Sequence, residues 1–460
     1  MDKVFEKCKK HKSVIIAIFL VCLFCYYFIW TTSQPYNSCP DESMKWDICK
    51  YIFKNNKLPR GEEETIRNQI WGISYAFQPI LTYMIGAGFM KVASIFTMDK
   101  FSLVVAARLV STVSMTLAVY FVIKIADKLF KDKEIYKILF VVFIAFQPLT
   151  AFLASYINND STAVLATTMI IYLWILGLES NWKTKHCVLL GLAIGFCALT
   201  YYNAYGYILC SIILCLVSAT SNKMKAKDVW QKILVVGLIA ITFAGWWFVR
   251  NAILYNGDFL GINAQNECGD KYALHDYKPS TRLTFQKEGK SLIYMIVEKG
   301  WLNTTAVSFI GIFGYHTIMM STKIYYCYLA IWVIGAIGCL INFKELFMYK
   351  KEEKNKYLLN LNKMSFSKNY TSIFTFKKEP HPECLSTLET CYYFIQELKE
   401  NDFINKNINP EPLMNVFKQM IKFQLQAENE RVSGLRPNVH AGNFRYTKLK
   451  EIPDYKIEKY

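Results

Sequence analysis

Residues 101–137 read FSLVVAARLVSTVSMTLAVYFVIKIADKLFKDKEIYK, and this stretch decides the fold. Its first part, 101–125, is apolar apart from Arg108, Lys124 and a few hydroxyl residues. A run of about 20 apolar residues has the length of a bilayer span. The connection that follows carries Lys124, Lys128, Lys131, Lys133 and Lys137. Short lysine-rich connections stay on the cytoplasmic side, so this one fixes the direction in which the chain enters and leaves the membrane.

Working outward, apolar runs recur at 14–31, 71–96, 135–154, 161–178, 186–200, 204–219, 230–249, 307–320 and 324–341. If every run crossed, the lysine-rich connection would fall outside. The conflict is removed if 71–96, interrupted by Gln78, Pro79, Gly86, Gly88 and Lys91, lies along the outer surface or re-enters within protein. Run 307–320 is too short to cross and is read the same way. About eight spans remain. The segments 183–185, 223–232 and 344–356 then join 124–137 in the cytoplasm, and the turns 155–160 and 201–203, free of Lys and Arg, lie outside. Two long outer loops follow, 32–100 and 250–323. The expected fold is an all-α polytopic membrane bundle with outer juxtamembrane helices. Residues 1–342 form the transmembrane domain, and 343–460 form a small, mainly helical cytoplasmic tail. Both termini are expected inside the cell membrane, after a basic stretch from Lys3 to Lys12. In the tail, 386–401 and 412–426 read as amphipathic helices and 434–460 as polar loop. His381 and His440 read as solvated, and no catalytic motif is present.

Composition agrees. The chain has 460 residues, of which 53% are hydrophobic and only 19% charged, below the usual quarter of a soluble domain. The net charge of +17 follows from lysines in short loops, with no basic stripe of interleaved aromatics, so no nucleic-acid partner is expected. Most of the 14 cysteines sit inside apolar runs as small hydrophobes. Cys39, Cys49 and Cys268 fall outside, where a Cys39–Cys49 disulfide is one alternative.

Polar groups collect at the outer membrane edge. Asp41 and Glu42 follow the first span, and Asp160 precedes another in Asn158-Asn159-Asp160. Acids at membrane depth are costly and mark function, although at the edge a solvated acid is the competing reading. Arg108, inside a span, needs a partner or a polar cavity, or it binds an anionic head group. Gly245-Trp246-Trp247-Phe248-Val249-Arg250-Asn251 ends a span. Trp247 and Arg250 there read either as an aromatic belt with a snorkelling arginine or as a fork for phosphate oxygens.

In order along the chain come Pro40-Asp41-Glu42, Lys57-Leu58-Pro59, Gln78-Pro79 with Tyr83, Arg108-Leu109-Val110-Ser111, Phe146-Gln147-Pro148 and Asn158-Asn159-Asp160. The segment 245–251 with Tyr255-Asn256-Gly257-Asp258, and Ser308-Phe309-Ile310-Gly311-Ile312-Phe313-Gly314-Tyr315, complete the series. Over about residues 10–342 the chain resembles the GT-C superfamily of polytopic glycosyltransferases. It is most similar to a bacterial branch related to protein O-mannosyltransferases and the lipid A aminoarabinose transferase.

The resemblance implies a sugar moved from a polyprenyl-phosphate donor to an acceptor hydroxyl at the outer face. Asp41 would be the base, with Glu42 beside it and Asp160 as a second acid. Arg108, Arg250, Asn251, Trp247 and Lys45 would bind substrate. Lys45 stands near the place of the family's usual histidine. The leaving phosphate is already charged and calls for a cation rather than a general acid, and the acceptor needs a carboxylate base. The implied partners are the donor, membrane lipid, and a glycan, lipid or protein acceptor. No cofactor is expected; no His cluster suggests a metal, although Asp41, Glu42 and Asp160 leave a divalent ion open. Two other readings compete. A transporter of lipid-linked glycans would show repeats and polar groups at the midplane of several spans, which this sequence lacks. A non-catalytic relative would account for the unfamiliar tail.

Overall fold

The computed structural model describes residues 11–222, 224–341, 366–373 and 385–435. Lys3, Lys223, His381, His440, the segment 344–356 and nearly all of 434–460 lie outside the described residues. The chain forms two compact units, Met1–Gly338 and Cys339–Tyr460.

The first unit is helical. α1 is Lys12–Ser33, α2 Glu42–Asn55, α3 Leu81–Ala93 and α4 Lys100–Phe130. α5 (Glu134–Ala145) and α6 (Pro148–Leu153) follow, then α7 (Asp160–Ser180), α8 (Thr184–Ala198), α9 (Gly206–Ser221) and α10 (Ala226–Leu254). After α11 (Ile262–Tyr272) and α12 (Trp301–Gly311) comes a hairpin, β1 (Ile312–Phe313) paired antiparallel with β2 (Ile318–Met319), and then α13 (Thr322–Ile341).

Among the described residues six helices are long and apolar enough to cross a membrane: Lys12–Ser33, Lys100–Phe130, Asp160–Ser180, Tyr202–Ser221, Ala226–Leu254 and Thr322–Ile341. This is a polytopic, all-helical, multi-pass membrane fold. Two expected spans differ. Run 135–154 is broken between α5 and α6 at Phe146-Gln147, because Pro148 at the start of α6 has no N–H to continue the helical ladder. Run 186–200 becomes the 15-residue α8, about 22 Å long at 1.5 Å per residue. The segment 71–96 contains no span-length helix, only a 3₁₀ turn and the 13-residue α3. Run 307–320 ends its helix at Gly311 and turns into the hairpin.

Small residues let α8 lie close against α10. A Cβ on Gly191 would stand 2.7 Å from Ile239 Cβ and 2.8 Å from the Val236 carbonyl, and one on Gly195 would stand 3.0 Å from Phe243 Cβ. In lipid, where helices gain little from apolar burial alone, such close backbone approach drives association.

The two ends of the bundle differ in chemistry. At one end Lys12 Nζ meets Asp127 at 2.6 Å, Lys137 lies 3.6 Å from the same carboxylate, and Lys128 meets Glu179 at 2.6 Å. Lys232 donates to the Trp182 carbonyl. These bonds join the start of α1, the end of α4, the start of α5, the end of α7 and the start of α10 in one lysine-rich layer. The turn at 154–159 lies at the opposite end of α7, and the turn at 199–205 joins the far ends of α8 and α9. Cysteines placed at 128 and 183 should therefore react together with an impermeant maleimide only after the cytoplasmic side is opened. One at 203, exposed in the turn between α8 and α9, should react in intact cells, and labelling of position 128 in intact cells would reject this orientation.

In the second unit, α14 (Thr387–Glu400) starts with a full capping box, Ser386 with Glu389, and α15 (Glu411–Val432) packs Met414, Phe417, Ile421 and Leu425 towards Tyr392. Glu389 is fully buried and accepts from Ser372, Ile373 and Ser386.

Candidate active site at the acid-bearing end

The first loop after α1 is pinned to α4 by one buried arginine. Arg108 and Glu42 are both fully buried and form a two-pronged pair, Nε to Oε1 at 2.7 Å and Nη2 to Oε2 at 2.9 Å. The remaining guanidinium N–H groups go to the carbonyls of Thr31 (2.8 Å), Gln34 (2.7 Å) and Pro35 (3.1 Å). A guanidinium has five N–H donors, and all five are engaged within the protein. Arg108 therefore has no donor left for the anionic head group expected from the sequence, and Glu42, already accepting from Arg108 and the Asn37 amide, has a structural environment.

Asn37 extends this clamp. Its side-chain oxygen accepts from the Ser43 amide at 3.2 Å and from the Tyr315 hydroxyl at 2.9 Å, which ties the hairpin to the same loop. Asp41 sits at the turn into α2 with φ of 55°, a left-handed conformation that Asp tolerates better than most residues. That backbone turn directs Glu42 inward and leaves Asp41 exposed.

The Tyr75 hydroxyl donates to Asp41 Oδ2 at 2.7 Å, and Ser74 caps the 3₁₀ turn that carries Tyr75. Asp41 Oδ1 accepts no hydrogen bond among the described residues. One turn along α2, the Lys45 ammonium lies 5.3 Å from the Tyr75 ring centroid and 5.8 Å from that of Tyr156. Burial pulls its pKa below the ordinary lysine value, and the charges of Asp160, Asp41, Glu42 and Cys39 oppose that pull. Lys45 forms no ion pair or hydrogen bond among the described residues, so an anion inserted between it and the acids would meet an unengaged donor. Asp160 opens α7, where the helix dipole favours a carboxylate.

Tyr75, Tyr156 and Tyr201 all have phenol pKa values raised first by burial and further by these acids. The structure thus gathers Asp41 and Lys45, at the start of α2, and Asp160, at the start of α7, into one electrostatic neighbourhood walled by tyrosines. Sequence reasoning missed Tyr75, Tyr156 and Tyr201. Their only signal was tyrosine density in the segments beside the acids.

The other expected binding residues lie on α10. Arg250 stacks over Trp247 at 4.8 Å and donates to Asn251 Oδ1 and to the Pro59 carbonyl. Its bonds go to the Lys57-Leu58-Pro59 corner, not to Asp41 or Asp160. Trp247 is fully buried beside Tyr83 and Leu199, so the aromatic-belt reading is corrected: only its neighbour Trp246, 40% exposed, faces outward. Trp247 Nε1, Asn251 Nδ2, Tyr83 Oη, Gln78 Oε1 and Asn159 Nδ2 are buried without partners among the described residues.

Cys39 and Cys49 are both free thiols. Cys39 packs with Phe152 and Tyr156, whereas Cys49 points at Gly86 and Trp46, so the disulfide alternative is not realised. Among the described residues no group of three or more His, Cys, Asp or Glu could hold a metal. Glu42 is committed to Arg108, and the cationic Lys45 shares the space of Asp41 and Asp160, so these acids do not fit a divalent ion.

Residues 78–247 match the family model described as dolichyl-phosphate-mannose-protein mannosyltransferase, a glycosyltransferase family of the GT-C superfamily, in agreement with the resemblance read from the sequence. The matched segment carries Tyr83, Arg108, Asp160 and Trp247. Residues 349–425 match the DTW domain model. The apo oligosaccharyltransferase of Archaeoglobus fulgidus aligns at 13% identity and a TM-score of 0.43, covering 98% of this chain and 54% of that one. The oligosaccharyltransferase AglB of the same organism, in complex with an inhibitory peptide and a dolichol-phosphate, aligns at 11% and 0.40 with the same coverages. The chain thus spans about half the length of these solved structures. No curated protein matches it.

Proposed function

We propose that this protein is a membrane glycosyltransferase that moves a sugar from a polyprenyl-phosphate donor to an acceptor hydroxyl at the acid-bearing end of the bundle. The observation that carries this reading is the Asp41 carboxylate, with one oxygen held by Tyr75 and the other without a hydrogen bond among the described residues, beside the Lys45 ammonium, which has only ring contacts among them. Asp41 Oδ1 takes the proton of the acceptor hydroxyl as its oxygen attacks the anomeric carbon. The bond from that carbon to the phosphate oxygen breaks, and polyprenyl phosphate leaves with the extra negative charge. A single displacement inverts the anomeric centre. Lys45 offers the cation that the leaving phosphate needs, and low-dielectric surroundings strengthen that attraction. Asp160 orients Lys45 or the acceptor. Glu42 and Arg108 hold the loop, and Arg250 braces α10 against it, so substrate reaches the site between these struts. The match over 78–247 and the donor class named by that family support the donor.

The direct test is transfer from a labelled polyprenyl-phosphate sugar in proteoliposomes, together with mass spectrometry of lipid-linked sugars in a deletion strain. Accumulation of one donor species in that strain would name the sugar. Lys45→Met keeps an unbranched chain of similar length between the tyrosine rings and removes the charge. It should raise the donor KM by about tenfold or more, the size of one lost charge-assisted contact. An unchanged donor KM would reject Lys45 as the phosphate's partner. Chains that translocate the donor without transferring its sugar would favour a transporter.

A further inference from the structure

A cavity of about 610 Å³ opens at the lysine-rich end, away from the site described above, between the start of α1, the end of α4 and the start of α5. Its walls are apolar: Ile15, Ile16 and Phe19 on one side, Ile123 behind, Ile138 and Val141 on the other. Ile15 and Ile138 are 45% and 58% exposed, so the cavity continues into the outer apolar flank of the bundle, where acyl chains lie. Its rim is charged, with Lys12, Asp127, Lys131, Asp132, Glu134 and Lys137. Four of these satisfy one another: Lys12 and Lys137 share Asp127, and Lys137 also meets Glu134 at 2.8 Å. Lys131 and Asp132 are exposed and form no ion pair or side-chain hydrogen bond among the described residues. The left-handed φ of 42° at Lys131 ends α4 at this rim.

We infer that this cavity is a binding site for a single zwitterionic phospholipid with a primary-amine head group. The apolar floor takes the upper acyl chains. Among the described residues the rim leaves one cation and one anion without a partner, at consecutive positions, and this matches a head group with one phosphate and one ammonium. Lys131 faces the phosphate, and Asp132 accepts from the ammonium N–H. A purely anionic lipid would satisfy Lys131 and repel Asp132. A trimethylammonium head group has no N–H for Asp132. A drug-sized site of 300–1,000 Å³ is the usual range for a specific pocket, and this one falls within it.

The test uses the full chain in detergent, titrated with phosphatidylethanolamine, phosphatidylcholine and phosphatidylglycerol of matched acyl chains and read by native mass spectrometry. Phosphatidylethanolamine should saturate at one per chain, with about tenfold weaker retention of phosphatidylcholine. Asp132→Asn should abolish that preference while leaving some binding of both, and Lys131→Ala should weaken both. Both positions are exposed, so the fold should be unaffected, and the comparison of lipids on the unaltered chain stands without either variant. Equal retention of the two zwitterionic lipids, tighter binding of phosphatidylglycerol, uptake without a plateau at one, or variants that bind like the unaltered chain would each overturn the proposal.

Discussion

Arg108→Ala should leave little folded protein in the membrane. The substitution removes five N–H donors at once and leaves the fully buried Glu42 carboxylate without its partner. Breaking a buried pair by deleting one member costs about 3–5 kcal/mol, because the remaining charge is neither solvated nor paired. The carbonyls of Thr31, Gln34 and Pro35 lose their donors as well, so the turn from α1 into the first loop loses its anchor. Domains are stable by only about 5–15 kcal/mol, and the loss is a large part of that. Lysine should not rescue, since its single ammonium cannot reproduce a planar fork. Glu42→Gln should be milder, because an amide oxygen still accepts from Arg108. Thermal unfolding of purified variants, followed by monodispersity in detergent, would show the ranking Arg108→Ala and Arg108→Lys below Glu42→Gln. An Arg108→Ala chain that melts like the unaltered protein would sink the clamp argument.

The pair also shows what a sequence of this kind reveals and what it hides. The length and lysine flanks of 101–137 made the span and its ends legible, because bilayer thickness and charge placement act locally along the chain. The acids at 41, 42 and 160 were legible for the same reason. What was hidden is contact across distance. Glu42 and Arg108 are 66 residues apart, and nothing local tells that one carboxylate of the Asp41-Glu42 pair turns inward and the other stays exposed. That choice is made by the left-handed turn at Asp41. Trp247 looked like a belt residue because Trp246, beside it, is one; a helix rotates neighbours by about 100°, so one faces lipid and the other the core. The break at Phe146-Gln147 was legible in Pro148 but was outweighed by the apolar length of 135–154. In the tail, the amphipathic pattern of 386–401 was visible as a helix, which the structure starts with the capping box of Ser386 and Glu389, whereas the match to the DTW domain model had no local signature.

Asp41→Asn should fold like the unaltered chain and lose most transfer activity. The side chain is exposed, its amide has the same shape, and Asn adopts the left-handed backbone of position 41 at least as readily as Asp. The Tyr75 hydroxyl can still donate to the amide oxygen. What is lost is the capacity of Oδ1 to take a proton, and loss of a general base costs about 10²–10⁴-fold in rate. Because the acceptor proton moves only in the transition state, kcat should fall while the donor KM changes little, the reverse of the pattern for Lys45→Met. Tyr75→Phe separates positioning from proton transfer. It frees both oxygens of Asp41 to rotate and should lower kcat by less than Asp41→Asn does, with full activity recovered at no pH. Asp160→Asn removes an acid that carries no proton in the proposed step, so its effect should be smaller than that of Asp41→Asn. The measurement is single-turnover transfer of a labelled sugar from polyprenyl phosphate in proteoliposomes, with unfolding temperature as the control. If Asp41→Asn kept its rate, the open carboxylate oxygen would not be the base. If Asp160→Asn alone abolished transfer, the proton would pass to the head of α7, and Tyr75 with Asp41 would be left to hold the loop.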